Sequence, residues 1–281
     1  MRLGYVIILL FTICFSTNIS AQRIGKPVDS TTIWSTFKYD TNASWRSIKH
    51  AVTRPLHWKG NDLTKLGGLF VGTAILSAAD RETSNFFLRQ ESSIPQPIQD
   101  YGFYFAKPQN YLMANVGIYG FGLLTKNEQV RKTGVLILSS SIVAGYLQIL
   151  ARTAVGRARP LSGESPHTFK PFIGTQHYFS FPSGHTVLGI TMAHSIAKQF
   201  NNTWVKVGVY TLGSIPAYSR LIAGEHWLSD VVFGAALSIF VVDSIDKYLF
   251  DTETYDFPKR EKMISWNLKL SGSQIGVVGT F

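Results

Sequence analysis

The sequence predicts an all-α protein: a bundle of about six helices with an active site at one end and a short β-like tail. Three observations carry this. Apolar runs dotted with Gly, Ala and Ser recur from residue 64 to 247, each long enough for a helix and set off by polar or Pro-containing segments. Hydrophobic residues make up 45% of the 281 positions and charged ones only 16%, so the helices bury or expose mainly apolar faces. Strand-like alternation is found at Ile264, Trp266, Leu268 and Leu270, close to the C-terminus.

Taken in order, the chain begins with Arg2, an apolar run from Tyr5 to Phe15, and Ser20-Ala21-Gln22. This pattern predicts a signal peptide over 1–21 with cleavage after Ala21, the alternative being an uncleaved anchor. Cys14, the sole cysteine, lies inside that run, so disulfide and thiol chemistry are excluded from the mature chain. Residues 22–63 are polar and read as an irregular N-terminal extension with Trp34, Trp45 and Trp58. Helices are expected at 64–79, 110–125, 133–151, 184–199, 205–222 and 227–247. Pro95, Pro97 and Pro108 mark a loop after the first, and 161–181 forms a second long loop. The catalytic region is thus 64–250 and the tail 251–281.

A membrane span needs about 20 mainly apolar residues. Pro108–Thr125 and Thr133–Ala151 approach that length without a charge, whereas the segment after Asp230 meets Asp243, Asp246 and Lys247 too early. Three helices precede Arg152, so a cleaved signal and three crossings would leave the loops that follow in the cytoplasm. The sequence therefore points to an exported, periplasm-facing bundle that is membrane-associated or peripheral.

The net charge is +10. Such a surplus suits nucleic acid, an anionic membrane surface or a phosphorylated substrate. No basic stripe or recognition motif for nucleic acid is present, which leaves the other two. Arginines gather instead in three segments. In the first, Arg152 and Arg159 stand seven residues apart, on nearly one helix face, before the helix-ending Pro160. Two guanidiniums on one face make a fork for phosphate, although an Arg-rich helix end is by itself an ordinary solvated terminus. Arg157, about 140° round from Arg152, is expected to face away. In the second, Pro182-Ser183-Gly184-His185 opens a helix: Ser183 is an N-cap, Gly184 permits close backbone approach, and the free N–H groups suit an oxyanion. In the third, Ser219-Arg220 precede His226 and Asp230. At i and i+4, Asp230 is expected to hold one ring nitrogen of His226 and leave the other lone pair free, for a base or a nucleophile. His194 is expected to pack on the far helix face, His167 and His177 to be solvated loop residues, Glu225 to face solvent, and Trp227 to anchor the last helix.

In order and spacing the three segments resemble the signature of the type 2 phosphatidic acid phosphatase superfamily, K-x6-R-P, P-S-G-H and S-R-x5-H-x3-D. The resemblance covers about residues 64–248 and departs at one position, Arg152 in place of lysine. It implies a phosphatase acting on phosphate esters without metal or cofactor. His226 would be the nucleophile that forms a phosphohistidine, Asp230 its orienting partner, and His185 the acid and then the base. Arg152, Arg159, Ser183, Gly184 and Arg220 would bind phosphate. The substrates implied are a phosphorylated lipid or a small phosphoester at an anionic membrane surface. The same resemblance leaves open a soluble broad-specificity acid phosphatase and a vanadium-dependent haloperoxidase.

Overall fold

The computed structural model describes residues 32–251, Tyr255, and the backbone of 265–271 and 274–280. The expected signal peptide, 1–21, lies outside the described residues. Among them the α-helices are α1 (Ile33–Thr53), α2 (Gly60–Ser77), α3 (Asp80–Gln90), α4 (Gln96–Phe105), α5 (Pro108–Leu124), α6 (Glu128–Val155), α7 (Gly184–Ala197), α8 (Thr203–Ile222) and α9 (Leu228–Asp246), the last continued by a π turn at Lys247–Asp251.

Local chemistry sets several of these ends. The Asn127 side chain accepts from Val130 N at 3.1 Å to start α6, and Asn202 accepts from Trp204 N and Val205 N to start α8. Gly156 ends α6 at φ 55°, a left-handed position, and a Cβ there would lie 2.0 Å from the Lys170 carbonyl oxygen.

The six expected helices are α2 and α5–α9, shifted by a few residues at their ends. Three others were not expected. Residues 33–53 form a helix rather than an irregular extension: Ala43, Tyr39, Ile48 and Ala51 pack against the core, beside the buried Thr36, Asp40 and Ser47. The buried polar residues interrupt the apolar stripe that would signal a helix. Short and charged, α3 has apolar residues only at Phe86, Phe87 and Leu88 and so lacks the apolar run used to find the other helices. In α4 the two prolines sit at the N-cap and in the first turn, where proline starts a helix instead of breaking one.

In the core, Val135, Leu136, Val143 and Ala144 of α6 meet Val187 of α7 and Val241, Val242 and Ile245 of α9. The mostly buried α7 is flanked by α6, α8 and α9. The helices run alternately, so two ends can be distinguished. The C-terminal end of α6, the start of α7, the end of α8 and the start of α9 meet at an apical end, where α3 and α4 also lie. At the basal end, α1 is held by Asp40, whose carboxylate accepts from Tyr119 Oη at 2.8 Å and from Tyr255 Oη, with Arg131 Nε at 3.5 Å. The His50 ring stacks on Tyr248 there at 4.3 Å.

Among the described residues, two helices are long and apolar enough to cross a membrane, Glu128–Val155 and Leu228–Asp251. The second corrects the expectation that its acidic residues arrive too early, since the helix runs on through Lys247. Near the C-terminus, β1 (Ser265–Ser271) and β2 (Gln274–Thr280) pair antiparallel as a hairpin, in line with the strand-like alternation.

Replacing Gly156 with Ala combines a strained φ with a clash against Lys170. It should cost about 1–3 kcal/mol, as overpacking does, read as a lowered thermal midpoint with the far-ultraviolet helical signal retained.

Candidate active site

The apical end is assembled from three loops laced together through backbone groups. Arg159 N–H donates to the His177 carbonyl at 3.0 Å, Ser180 N–H to the Arg157 carbonyl at 3.1 Å, and Ser183 N–H to the Asp230 carbonyl at 3.2 Å. Trp227 anchors the start of α9 as expected: it is 4% exposed, and its indole N–H donates to the Ala158 carbonyl at 2.7 Å. These ties bring the segments around 159, 183 and 226 to one place.

His226 is buried, and its Nδ1 lies 2.5 Å from the Ser180 carbonyl oxygen. A carbonyl only accepts, so Nδ1 carries the proton and Nε2 keeps its lone pair. Burial pushes the imidazole well below its ordinary value, and the positive charge of Arg159 acts in the same direction, against the opposing effect of the Ser180 hydrogen bond. The ring is therefore neutral and nucleophilic at neutral pH. Burial likewise lowers the Arg159 guanidinium, while Asp230 opposes it.

The expected direct pairing of His226 with Asp230 does not form. His226 lies ahead of α9, so the two residues do not share a helical face. Asp230 instead accepts from the Ser180 hydroxyl at 2.5 Å, from Trp227 N–H at 2.9 Å and from Arg157 Nη1 at 2.5 Å. Its carboxylate holds Ser180, which holds His226, and it caps the helix that follows.

Arg157 corrects a second expectation. Rather than facing away, it is 3% exposed and bridges Asp230 to Asp80, its Nη2 lying 2.8 Å from Asp80 Oδ2. The helix ends at Gly156, so angles projected along it no longer apply to residue 157. Asp80 opens α3 and also accepts from Ser229 N–H at 2.9 Å and the Ser229 hydroxyl at 2.5 Å.

Around His226 stand the remaining predicted residues. Its environment includes the charges of Arg159 and Arg152 and the ring of His185, and that of His185 includes Arg220, Arg152 and Arg159. Arg152 Nη2 lies close enough to α7 that a Cβ on Gly184 would sit 3.0 Å from it. Side-chain nitrogens Arg152 Nε and Arg159 Nε and the Ser183 hydroxyl are buried without a hydrogen-bond partner among the described residues. Three cations, the first N–H groups of α7 and these unpaired donors converge in front of a neutral imidazole. Such a cluster suits an oxyanion with several oxygens.

Several residues were missed by sequence reasoning. Glu225 is ion-paired with Arg159 rather than solvent-facing, on a loop that follows α8 immediately. Phe103 of α4 forms one wall: its carbonyl lies 3.3 Å from His185 Nε2, and the Arg220 guanidinium lies 5.0 Å over its ring. Gly102 permits that approach, since a Cβ there would meet Ser219 Cβ at 2.4 Å. Ser180 and Asp80 carried no signal beyond being small or acidic residues near helix starts. His194 lies outside the site, but it is hydrogen-bonded to Tyr210 Oη at 2.5 Å and Asp243 at 3.0 Å rather than merely packed. His167 approaches the Ser77 hydroxyl at 3.4 Å.

Residues 133–247 match the family model of the PAP2 superfamily. Among curated PAP2-type relatives, a lipid A 1-phosphatase of Porphyromonas gingivalis is 29% identical over 132 residues, covering 46% of this chain and 27% of the relative. A lipid A 1-phosphatase of Rhizobium etli is 32% identical over 106 residues, covering 37% of this chain and 44% of the relative. The matches thus span less than half the length of these relatives. A solved transmembrane PAP2 type phosphatidylglycerolphosphate phosphatase from Bacillus subtilis aligns at a TM-score of 0.49 with 20% identity, covering 68% of this chain and 98% of that one.

Two outcomes are expected. Arg157→Ala strands two buried carboxylates and should cost about 3–5 kcal/mol, measured by denaturant unfolding in detergent. The imidazole of His226 should still be neutral at pH 6.5, its ordinary midpoint. Arg159→Met should move its titration upward, since removing a neighbouring cation favours the protonated ring; nuclear magnetic resonance of the labelled ring reads both.

Proposed function

We propose that this protein is a phosphatase that hydrolyses lipid phosphate esters through a phosphohistidine on His226, with neither metal nor cofactor. The observation that carries the reading is the buried His226, its Nδ1 held by the Ser180 carbonyl, in the field of Arg159 and Arg152, with Arg152 against the first turn of α7.

In this reading Nε2 of His226 attacks phosphorus in line. The P–N bond forms as the ester P–O bond breaks, and His185 delivers a proton to the departing alkoxide. The positive charge that develops on the imidazole is met by the Ser180 carbonyl at Nδ1–H, with the Asp230 carboxylate behind it. Arg152, Arg159 and Arg220, with the Ser183 hydroxyl and the Gly184 N–H, hold the equatorial oxygens as charge redistributes. His185 then removes a proton from water, which attacks phosphorus and releases phosphate and free His226. Asp230 acts through Ser180 and Trp227 and is a positioning residue. Arg152, where the resemblance expects lysine, keeps the charge and offers a planar fork.

Lipid is supported as the substrate class by the named relatives and by the surface. Phe70, Ile75, Met113, Leu124, Ile149 and Phe240 are all exposed, on α2, α5, α6 and α9, and exposed apolar surface on several helices suits contact with lipid. Arg131 and Arg152 are 21 residues apart on α6 (152 − 131), about 31 Å at 1.5 Å per residue. That matches the roughly 30 Å of a bilayer's hydrocarbon core. The bundle is accordingly read as membrane-spanning, with the site at one surface. Basic residues are more numerous at the basal end, including Lys38, Lys49, Arg54, Lys59, Lys126 and Lys132, which supports a cytoplasmic basal end and a site on the outer side. That orientation and cleavage after Ala21 exclude each other, because α1 is basal.

A phosphate-release assay on lipid A 1-phosphate, phosphatidate, a polyprenyl diphosphate and p-nitrophenyl phosphate, with and without chelator, tests the reading. Lipid substrates should be preferred and chelator should have no effect. His226→Ala should lose at least about 10³-fold and His185→Ala about 10²–10⁴-fold. Activity retained in His226→Ala would overturn the mechanism.

A further inference from the structure

The outward face of α1 is unlike the other exposed surfaces of the molecule. Trp34, Thr41, Trp45 and Val52 recur at intervals of seven, four and seven residues, which keeps them on one line along a helix. That line lies opposite the buried one formed by Thr36, Asp40, Ala43 and Ser47. Trp34 is 61% exposed and Trp45 62%, with Leu56 just beyond the helix at 83%. Between them stand exposed lysines: Lys38, whose Nζ lies 5.2 Å over the Trp34 ring, and Lys49. Arg54 and Lys59 follow. The only acidic residue from 33 to 61 is Asp40, which is buried and tied to Tyr119, Tyr255 and Arg131.

Besides the buried Thr36, Asp40 and Ser47, α1 packs Ala43, Tyr39, Ile48 and Ala51 into the core, and it still leaves both of its tryptophans exposed. Tryptophan prefers the level of lipid headgroups, where one part of the ring is wet and the other apolar. Lysines alternate with those rings and, buried Asp40 apart, no carboxylate stands among them before Asp62 at the start of α2, so the face complements an anionic surface. Asp40 fixes α1 at the basal end of the bundle, about 31 Å along α6 from the site by the same rise per residue.

We infer that α1 is an in-plane membrane anchor: its Trp34–Trp45–Val52 face lies in the headgroup layer of the leaflet opposite the active site, held by anionic lipid. The inference rests on the membrane-spanning part of the proposed function, and not on the phosphatase chemistry. Such an anchor fixes the depth of the basal end, and hence the height of the apical site in the other leaflet.

The test places an environment-sensitive fluorophore at Val52→Cys in full-length Cys14→Ser protein, in nanodiscs with or without phosphatidylglycerol. A second protein carries the probe at Met113→Cys, on the exposed side of α5. Quenchers attached near the headgroup should quench Val52 and those at mid-chain Met113. Lys38→Glu with Lys49→Glu, both on the surface, should weaken Val52 quenching at least about twofold in anionic discs, the loss expected when basic contacts to an anionic leaflet are removed. A Met113 probe quenched by lipid beside a Val52 probe open to iodide would overturn the anchor alone. Neither probe meeting lipid would overturn the spanning reading and the anchor with it. Val52 equally protected in detergent and in discs of either composition would assign the face to the chain's own termini or a second copy, and the anchor would fall.

Discussion

Arg157 lies between two fully buried carboxylates, Asp80 and Asp230, and the apical architecture follows from that bridge. A carboxylate in such a place is costly unless paired, and one guanidinium here serves both through its separate nitrogens. The consequences spread along the chain. Asp80 brings the start of α3 under Ser229, Asp230 caps α9 and holds Ser180, and Ser180 sets the tautomer of His226. This chain of contacts also reaches the oxyanion side of the site, since Ser183 N–H donates to the Asp230 carbonyl and the Asp230 charge bears on the Arg159 guanidinium. The machinery that positions the nucleophile is thus coupled to the machinery that would bind phosphate.

Electrostatics then divides the arginines into two kinds. Arg157 is neutralised by its carboxylates and behaves as structure. Arg152 and Arg159 keep a buried nitrogen without a partner among the described residues, and they crowd a buried imidazole that they help to keep unprotonated. Packing cations beside one another is unfavourable until an anion with several oxygens arrives, so the strain is relieved by binding. Glu225 on Arg159 supplies part of that anion in the free protein. A carboxylate has two oxygens where a phosphoryl group in transfer offers three equatorial ones, so the substitute is incomplete.

How much of this was legible in the sequence depended on whether the information was periodic. The six apolar helices and the positions of Arg152, Arg159, His185 and His226 could be read because apolar runs and fixed motif spacings survive in one dimension. Residues acting through tertiary contacts could not. Arg157 was misread because its angle was projected along a helix that Gly156 had already ended. Asp230 was placed on the wrong atom because His226 precedes the helix whose spacing was assumed. The first helix was hidden because buried Thr36, Asp40 and Ser47 interrupt its inward apolar stripe, while Trp34 and Trp45 face out.

That mixed pattern has a physical logic on the proposed membrane reading. A helix in water buries its apolar stripe because the alternative is exposure, whereas a helix at a lipid surface tolerates apolar residues on its outer side. The polar residues turned inward must find partners there, which is what Asp40 does with Tyr119, Tyr255 and Arg131. The same reading accounts for the exposed apolar residues of α2, α5, α6 and α9, whereas α7, flanked by other helices, is mostly buried. The proposed membrane-spanning reading also sets the relation between α1 and the site: with about 31 Å of α6 between Arg131 and Arg152, the two ends would lie in two different polar layers. The residues that fix the chain at one end are therefore necessarily remote from those that would do chemistry at the other.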